Sequence, residues 1–212
     1  MMITEHTPPK DCTLCSRLVE YRRENQAQNP DWFNGAVPAF GDPNPWLLVV
    51  GLAPGVKGAN RTGRPFTGDY AGDLLYATLG KVGLSNDKYA NHIDDGLELK
   101  GVQITNVVRC VPPQNKPTTQ EVHTCRPFLI NQIEALPSVK VLLLLGQISH
   151  QSTLKALGLK QSAYRFGHGA VHKLENGLHL VDSYHCSRYN TNTGRLTEAM
   201  FEDVFHTALS LR

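Results

Sequence analysis

Two stretches of this sequence constrain its fold more than any others. Trp46 to Leu52 (WLLVVGL) and Val141 to Leu145 (VLLLL) are apolar at every position apart from Gly51. Runs this short do not alternate, so they do not read as strands with one wet face. They suit strands buried on both faces, as in a parallel sheet covered by helices. Val102 to Val108 (VQITNVV) and residues 178–182 read as two further strands, and the second apolar strand is taken to begin at residue 139. Between them lie helical patterns at 18–29, 71–82, 119–136, 147–157 and 196–209. In the second, Leu74, Leu75, Leu79 and Val82 share one side. In the third, Thr118 or Thr119 can cap the start, with Glu121 near the first turn. Strands alternating with helices predict a mostly parallel sheet with helices on both faces. No repeat, low-complexity tract or second domain interrupts the 212 residues. In such sheets functional loops lie beyond the strand C-termini.

Composition narrows the class. At 41% hydrophobic and 19% charged residues the chain is not a disordered one. A formal charge of +2 excludes a polybasic chain. It does not exclude a nucleic-acid enzyme, because a local basic face matters more than the total. No apolar run approaches the roughly 20 residues that cross a bilayer. The start, MMITEHTPPKDCTLC, has no apolar signal core, so a cytoplasmic protein in a reducing compartment is expected.

Five cysteines are too few for a disulfide-built scaffold of this size. Cys12 and Cys15 form a CxxC arm, and Cys110 and Cys125 are separated by 14 residues. Four thiolates suit zinc or an iron–sulfur cluster, and the spacing does not choose between them. The alternative is that Cys110 and Cys125 are simply buried. Cys186 stands apart, beside His185, as a pocket-wall residue or a nucleophile.

Two loops and one strand end carry the other candidate groups. GLAPGVKGANRTGRPFTGD (51–69) follows a strand and is neither a Walker A loop nor a GxGxxG turn. It offers Lys57, Arg61 and Arg64 for phosphates, Phe66 as a stacking surface, and Asp69 to orient or activate water. DSYHCSRYNTNTGR (182–195) follows another strand. In it, His185 can donate to a developing oxyanion. Arg188, Asn190, Asn192 and Arg195 can contact phosphates, and Tyr189 can stack or wedge. Asn106, near a strand end, has a donor and an acceptor with which to read a base edge. Each of these residues also has a structural reading, as a cap, a hydrogen-bonding partner or ordinary loop charge.

Taken together, GLAPGVKGANRTGRPFTGD, TNVVRCVPPQNKPT (105–118) and HCSRYNTNTGRLT (185–197) resemble the uracil-DNA glycosylase superfamily, nearest its family 5, the iron–sulfur type. The resemblance spans essentially the whole chain. It implies a three-layer α/β/α sandwich around a four-stranded parallel sheet, in a single domain over residues 1–212 with an N-terminal cluster-binding arm. It implies a [4Fe–4S] cluster on Cys12, Cys15, Cys110 and Cys125. The implied catalytic groups are Asp69, His185 and Asn106. The implied base pocket comprises Leu52, Ala53, Pro54, Gly55, Phe66 and Asn106. The implied reaction is monofunctional release of uracil, and of bases such as hypoxanthine or xanthine, from double-stranded DNA by a monomer. The chain departs from the superfamily pattern twice. Leu52-Ala53-Pro54-Gly55 lacks an early carboxylate, which Asp69 replaces. His185-Cys186-Ser187 stands where His-Pro-Ser is usual, leaving that loop backbone less restrained. A non-catalytic iron–sulfur nucleic-acid-binding protein and a zinc-containing nucleotide hydrolase are the competing readings.

Overall fold

The computed structural model describes residues 6–212. Its strands are β1 (Phe40–Gly41), β2 (Leu47–Gly51), β3 (Val102–Asn106), β4 (Val141–Leu145), β5 (Val171–Lys173) and β6 (His179–Ser183). Its helices are α1 (Ser16–Gln28), α2 (Ala59–Thr62), α3 (Tyr70–Lys81), α4 (Thr119–Glu134), α5 (Gln147–Ala156), α6 (Arg188–Asn192) and α7 (Glu198–Ser210).

The strands form one six-stranded mixed sheet in the order β1-β3-β2-β4-β6-β5. This corrects the expected four-stranded parallel sheet. The central four strands run parallel, while β1 and β5 pair antiparallel at the two edges. The edge strands are two and three residues long, and both flanking residues of β5 are exposed. Neither has the apolar continuity that marks a strand covered on both sides. Short, partly charged edges of this kind also discourage pairing with other chains.

Side-chain alternation sorts each central strand between two helical layers. Leu47, Val49, Ile104, Leu143 and Val181 pack with Leu75 and Leu79 of α3 and Phe201 and Phe205 of α7. Leu48, Val50, Leu142, Leu144 and Leu180 pack with Leu18 of α1, Phe128 and Leu129 of α4, and Leu154 of α5. Thr118 caps α4 in a full capping box with Glu121, and Arg17 of α1 donates to both Glu121 carboxylate oxygens at 2.7–2.8 Å.

The polar segment 87–100, without clear periodicity in the sequence, is organised by one carboxylate. Asp95 accepts two hydrogen bonds from Arg64 at 2.6 and 2.8 Å and two more from the backbone N–H groups of Ala90 and Leu97. Both side chains of the ion pair are 1% exposed. The guanidinium also lies over the rings of Phe40, Tyr76 and Tyr89 and donates to Thr67 and to the His92 carbonyl. Arg64 hydrogen bonds hold the Asp95 carboxyl far below the ordinary carboxylate range.

Removing one member of a buried ion pair strands the other charge, at a cost of about 3–5 kcal/mol. Asp95→Asn should lose about that much in urea unfolding at pH 7. Lys81→Ala, which breaks an exposed contact to Glu198 at 3.5 Å, should lose about 1 kcal/mol or less. Equal losses would contradict the assigned role of Asp95.

Candidate active site

The parallel register sets Gly51 of β2 beside Asn106 of β3 at the C-terminal end of the sheet. A cleft of about 590 Å³ opens there. Leu52, Ala53, Pro54, Gly55, Lys57, Phe66, Asp69, Asn106, His185 and Arg188 all line it. A Cβ on Gly51 would collide with Asn106 Oδ1 and would sit 2.6 Å from the Phe66 ring. Glycine is therefore what lets the aromatic ring and the amide meet at the strand end. Phe66 itself holds φ at 52°, a conformation costly for a bulky residue and often found at functional sites. Its ring is stacked with that of His185, centroids 6.1 Å apart and planes 28° apart. Asn106 is buried, and its Oδ1 has no hydrogen-bond partner among the described residues. A buried amide oxygen left unpaired costs about 1–3 kcal/mol, so it is an acceptor open to a ligand donor.

Asp69 is the N-cap of α3, and its carboxylate accepts from the Gly72 N–H at 3.1 Å. Gly58 leaves the space into which this carboxylate fits, since a Cβ there would strike Oδ2. Burial and then the neighbouring Asp73 push the Asp69 pKa up, while the Gly72 N–H restrains the rise. A carboxylate raised in this way is a better base than one in water. Burial pushes His185 down to about 4, so its imidazole is neutral at neutral pH. A neutral ring can donate one N–H without bringing a full positive charge into the cleft.

The loop carrying His185 is held more firmly than its sequence suggests. Cys186 is buried and donates to the Ala71 carbonyl at 3.4 Å. Asn190 Nδ2 donates to the His185 carbonyl at 2.8 Å. These contacts stand where a proline ring would have restrained the chain. Cys186 does not line the cleft as expected: it is packed in the core beside α3 and α7, and burial pushes its thiol far above its ordinary range, which disfavours a thiolate nucleophile.

The other expected phosphate contacts divide by burial. Lys57, Arg61, Arg188, Tyr189, Asn192 and Arg195 are exposed, with Arg188 over the Tyr70 ring and Arg195 over that of Tyr184. Arg64 departs from expectation: locked on Asp95 inside the protein, it has no free face for a phosphate. Asn190 uses its amide to hold the His185 loop. Six lining residues, Ala59, Gly68, Tyr70, Ala71, Asn115 and Ser187, were not expected from the sequence. Asn115 had a legible signal, since the stretch PPQN promises a turn, and here φ is 56°.

Away from the cleft, Cys12, Cys15, Cys110 and Cys125 converge on a small cavity of about 20 Å³, otherwise lined largely by apolar groups such as Leu14, Leu18, Val108 and Phe128. Arg22 donates to Cys110 Sγ at 3.5 Å and to the Cys12 carbonyl at 2.9 Å. Arg109 is buried, bonds Gln132, and leaves Nε and Nη1 without partners among the described residues. Neither arginine has a carboxylate partner among the described residues. A second grouping, His150, His172 and Asp182, can hold a metal ion, with one ligand atom from each within 4.8 Å of the others.

The fold and cleft define an α/β enzyme that works at the carboxyl end of a parallel sheet core. The family model described as the uracil DNA glycosylase superfamily matches residues 38–208. A type-5 uracil-DNA glycosylase of Thermus thermophilus is 46% identical over 206 residues, covering 94% of this chain and 93% of the relative. One from Mycobacterium leprae is 42% identical, covering 94% and 91%. A type-4 uracil-DNA glycosylase of Pyrobaculum aerophilum is 34% identical, covering 72% and 64%. This chain belongs to the uracil DNA glycosylase superfamily, within its type-5 group.

The depressed His185 has a consequence for stability. Between the ordinary histidine value of 6.5 and about 4, the unfolded chain binds a proton at His185 that the folded chain refuses. Stability at this site therefore falls as pH drops through that window. His185→Gln should show a smaller loss of urea midpoint between pH 7 and pH 4.5 than the parent. An equal loss in the two proteins would contradict the depressed value.

Proposed function

We propose that this chain is a monofunctional DNA glycosylase that hydrolyses the N-glycosidic bond of uracil, and of other deaminated bases such as hypoxanthine and xanthine, in double-stranded DNA. The observation that carries this reading is the unpaired Asn106 Oδ1 in a cleft that the Phe66 ring and the Asp69 carboxylate also line. A flipped base fits that arrangement: a flat face on Phe66 and a polar edge on Asn106. Extrusion costs roughly a few kcal/mol and least at a mismatch, which favours uracil opposite guanine. Leu52, Ala53, Pro54 and Gly55 supply backbone and shape to the wall beside the base.

Cleavage leaves negative charge on the base and positive charge on the sugar. Neutral His185 donates to the developing anion on the base. Asp69 orients and deprotonates the attacking water and favours the cationic sugar by its own charge. The product is a free base and an abasic site. No lysine faces the reacting carbon as a nucleophile in this scheme, since Lys57, the lining lysine, sits exposed at the rim and serves a phosphate. Lys57, Arg61, Arg188, Asn192 and Arg195 take the backbone phosphates, and exposed Tyr189 fills the gap left in the duplex.

Cys12, Cys15, Cys110 and Cys125 are the residues to hold a [4Fe–4S] cluster. The four cysteines converge on one cavity, and two arginines without carboxylate partners among the described residues approach it, supplying charge for an anionic, thiolate-held group. The choice of a cluster over a single zinc ion follows the sequence resemblance to the iron–sulfur type. When bound, the cluster supplies a cross-link between the N-terminal arm, the loop after β3 and α4. It takes no part in the hydrolysis.

Two measurements test these assignments. Asp69→Asn and His185→Ala should each slow uracil release from a U·G duplex by about 10²- to 10⁴-fold, with duplex binding retained in a gel-shift assay. Full activity in both would reject the assigned roles, and no release by the parent would reject the glycosylase reading in favour of a binding protein. Iron and sulfide should each be found at four atoms per chain, and Cys110→Ser should lower both. Zinc in their place would reject the cluster.

A further inference from the structure

We propose that His150 Nδ1, His172 Nε2 and an oxygen of Asp182 form a second metal site, separate from the four cysteines, suited to a single zinc ion. The three residues come from different elements: α5, β5 and β6. The donor set, two imidazoles and one carboxylate, is one that zinc accepts, with water completing a tetrahedron.

The argument rests on where the ring protons must be. His150 Nε2 lies 3.0 Å from the Tyr164 carbonyl, which can only accept, so Nε2 carries a hydrogen. In the neutral ring this leaves a lone pair on Nδ1, and Nδ1 lies 2.8 Å from Asp182 Oδ1. Two lone pairs at that separation repel unless a cation stands with them. A ligating histidine that donates its other N–H to a backbone carbonyl is the usual second-shell arrangement at metal sites.

Two further atoms point the same way. Asp182 is fully buried, and its second oxygen, Oδ2, has no hydrogen-bond partner among the described residues. His172 Nε2, 3.7 Å from that oxygen, has none either. A proton on His150 Nδ1 would satisfy the first contact and leave these two atoms facing each other at 3.7 Å, beyond hydrogen-bond range. A metal ion would serve all three residues. With ligand bonds of about 2.0–2.1 Å in a tetrahedron, donor atoms lie about 3.3 Å apart, so Nδ1 and Oδ1 need open by only a few tenths of an ångström.

The surroundings give the site rigidity. Phe166 packs edge-on against His150, and Tyr164 edge-on against His172. The His172 side chain is 18% exposed, with Nε2 itself buried against Asp182. Such an ion would fasten the edge hairpin β5–β6 to α5, three residues before His185. Its role would be structural, independent of whether the cleft acts on DNA.

The test uses the full chain with its iron in place, dialysed against zinc chloride and then metal-free buffer, with zinc counted by mass spectrometry. We expect one zinc per chain, with zinc-edge X-ray absorption showing nitrogen and oxygen ligands at about 2.0–2.1 Å and none of the sulfur at about 2.3 Å that the cysteines would give. His172→Ala and the bulkier His172→Gln should both weaken zinc binding by about 100-fold or more while melting near the parent in chelator. Zinc should raise the melting temperature of the parent and leave that of the variants unchanged. The proposal is overturned if no zinc binds, if it binds only sulfur, or if either variant that melts near the parent binds it as the parent does.

Discussion

Strands buried on both faces leave little room for polar side chains along their length. In β2 and β4 every residue is buried, and the sheet spends successive side chains on opposite helical layers. Polar chemistry is thereby displaced to the strand ends. The chain leaves β2 and β3 side by side, and the backbone pairing continues briefly past them, Val107 N–H to Gly51 and Val108 N–H to Leu52. That short extension fixes the first residues of the glycine-rich loop against the end of β3. Gly51, Phe66 and Asn106 then meet because Gly51 has no side chain to keep them apart. The cleft is a consequence of sheet register before it is a consequence of any loop.

From there, charge is distributed by burial. Arg61 and Arg64 are three residues apart in one glycine-rich loop, yet one is exposed and the other sealed inside. The turn between them explains the difference. Short α2 ends at Gly63 in a left-handed conformation with φ of 79°, and the chain reverses there, carrying Arg64 inward to Asp95. The interior then contains one arginine neutralised by a carboxylate, and two more, Arg22 and Arg109, turned toward the four cysteines. Charge so deep is costly unless an anion answers it. The four cysteines, as thiolates, are the groups placed to answer it, which links the charge balance of the α1–α4 side of the sheet to whatever they bind.

How much of this was legible in the sequence follows from the same physics. β2 and β4 announced themselves because burial on both faces leaves an unbroken apolar run, and β3 and β6 were legible from shorter apolar stretches broken by Gln103, Thr105 and His179. The edge strands did not, because Phe40–Gly41 and Val171–Lys173 are short and partly exposed, like loops. The glycine-rich motif disclosed which residues would gather at the strand ends, including Asp69 and Phe66. It did not disclose the fate of Arg64, since its partner Asp95 lies 31 positions later in a segment without periodicity. Asn190 likewise reads as a surface amide until α6, capped by Ser187, turns its side chain back to the His185 carbonyl. Asn115 enters the cleft from a tight turn and Tyr70 from the first residue of α3, placements that no periodic pattern encodes.

The cysteine at 186 shows how a restraint lost in sequence is replaced in structure. Proline at such a position stabilises a fold by about 0.4–1 kcal/mol, chiefly by narrowing the unfolded ensemble. Cysteine gives up that entropic gain. In its place the folded loop has the Asn190 amide on the His185 carbonyl and the Cys186 thiol on the Ala71 carbonyl. A net hydrogen bond contributes about 0.5–1.5 kcal/mol, and a thiol donor sits at the low end. The two contacts are therefore of the same size as the proline effect they replace. They differ in kind, because they act on the folded state alone and run in two directions: one ties the loop to α6, the other to the start of α3. Asp69 caps that same helix. The buried thiol thus couples the positions of His185 and Asp69 through the first turn of α3, a link that a proline ring could not supply.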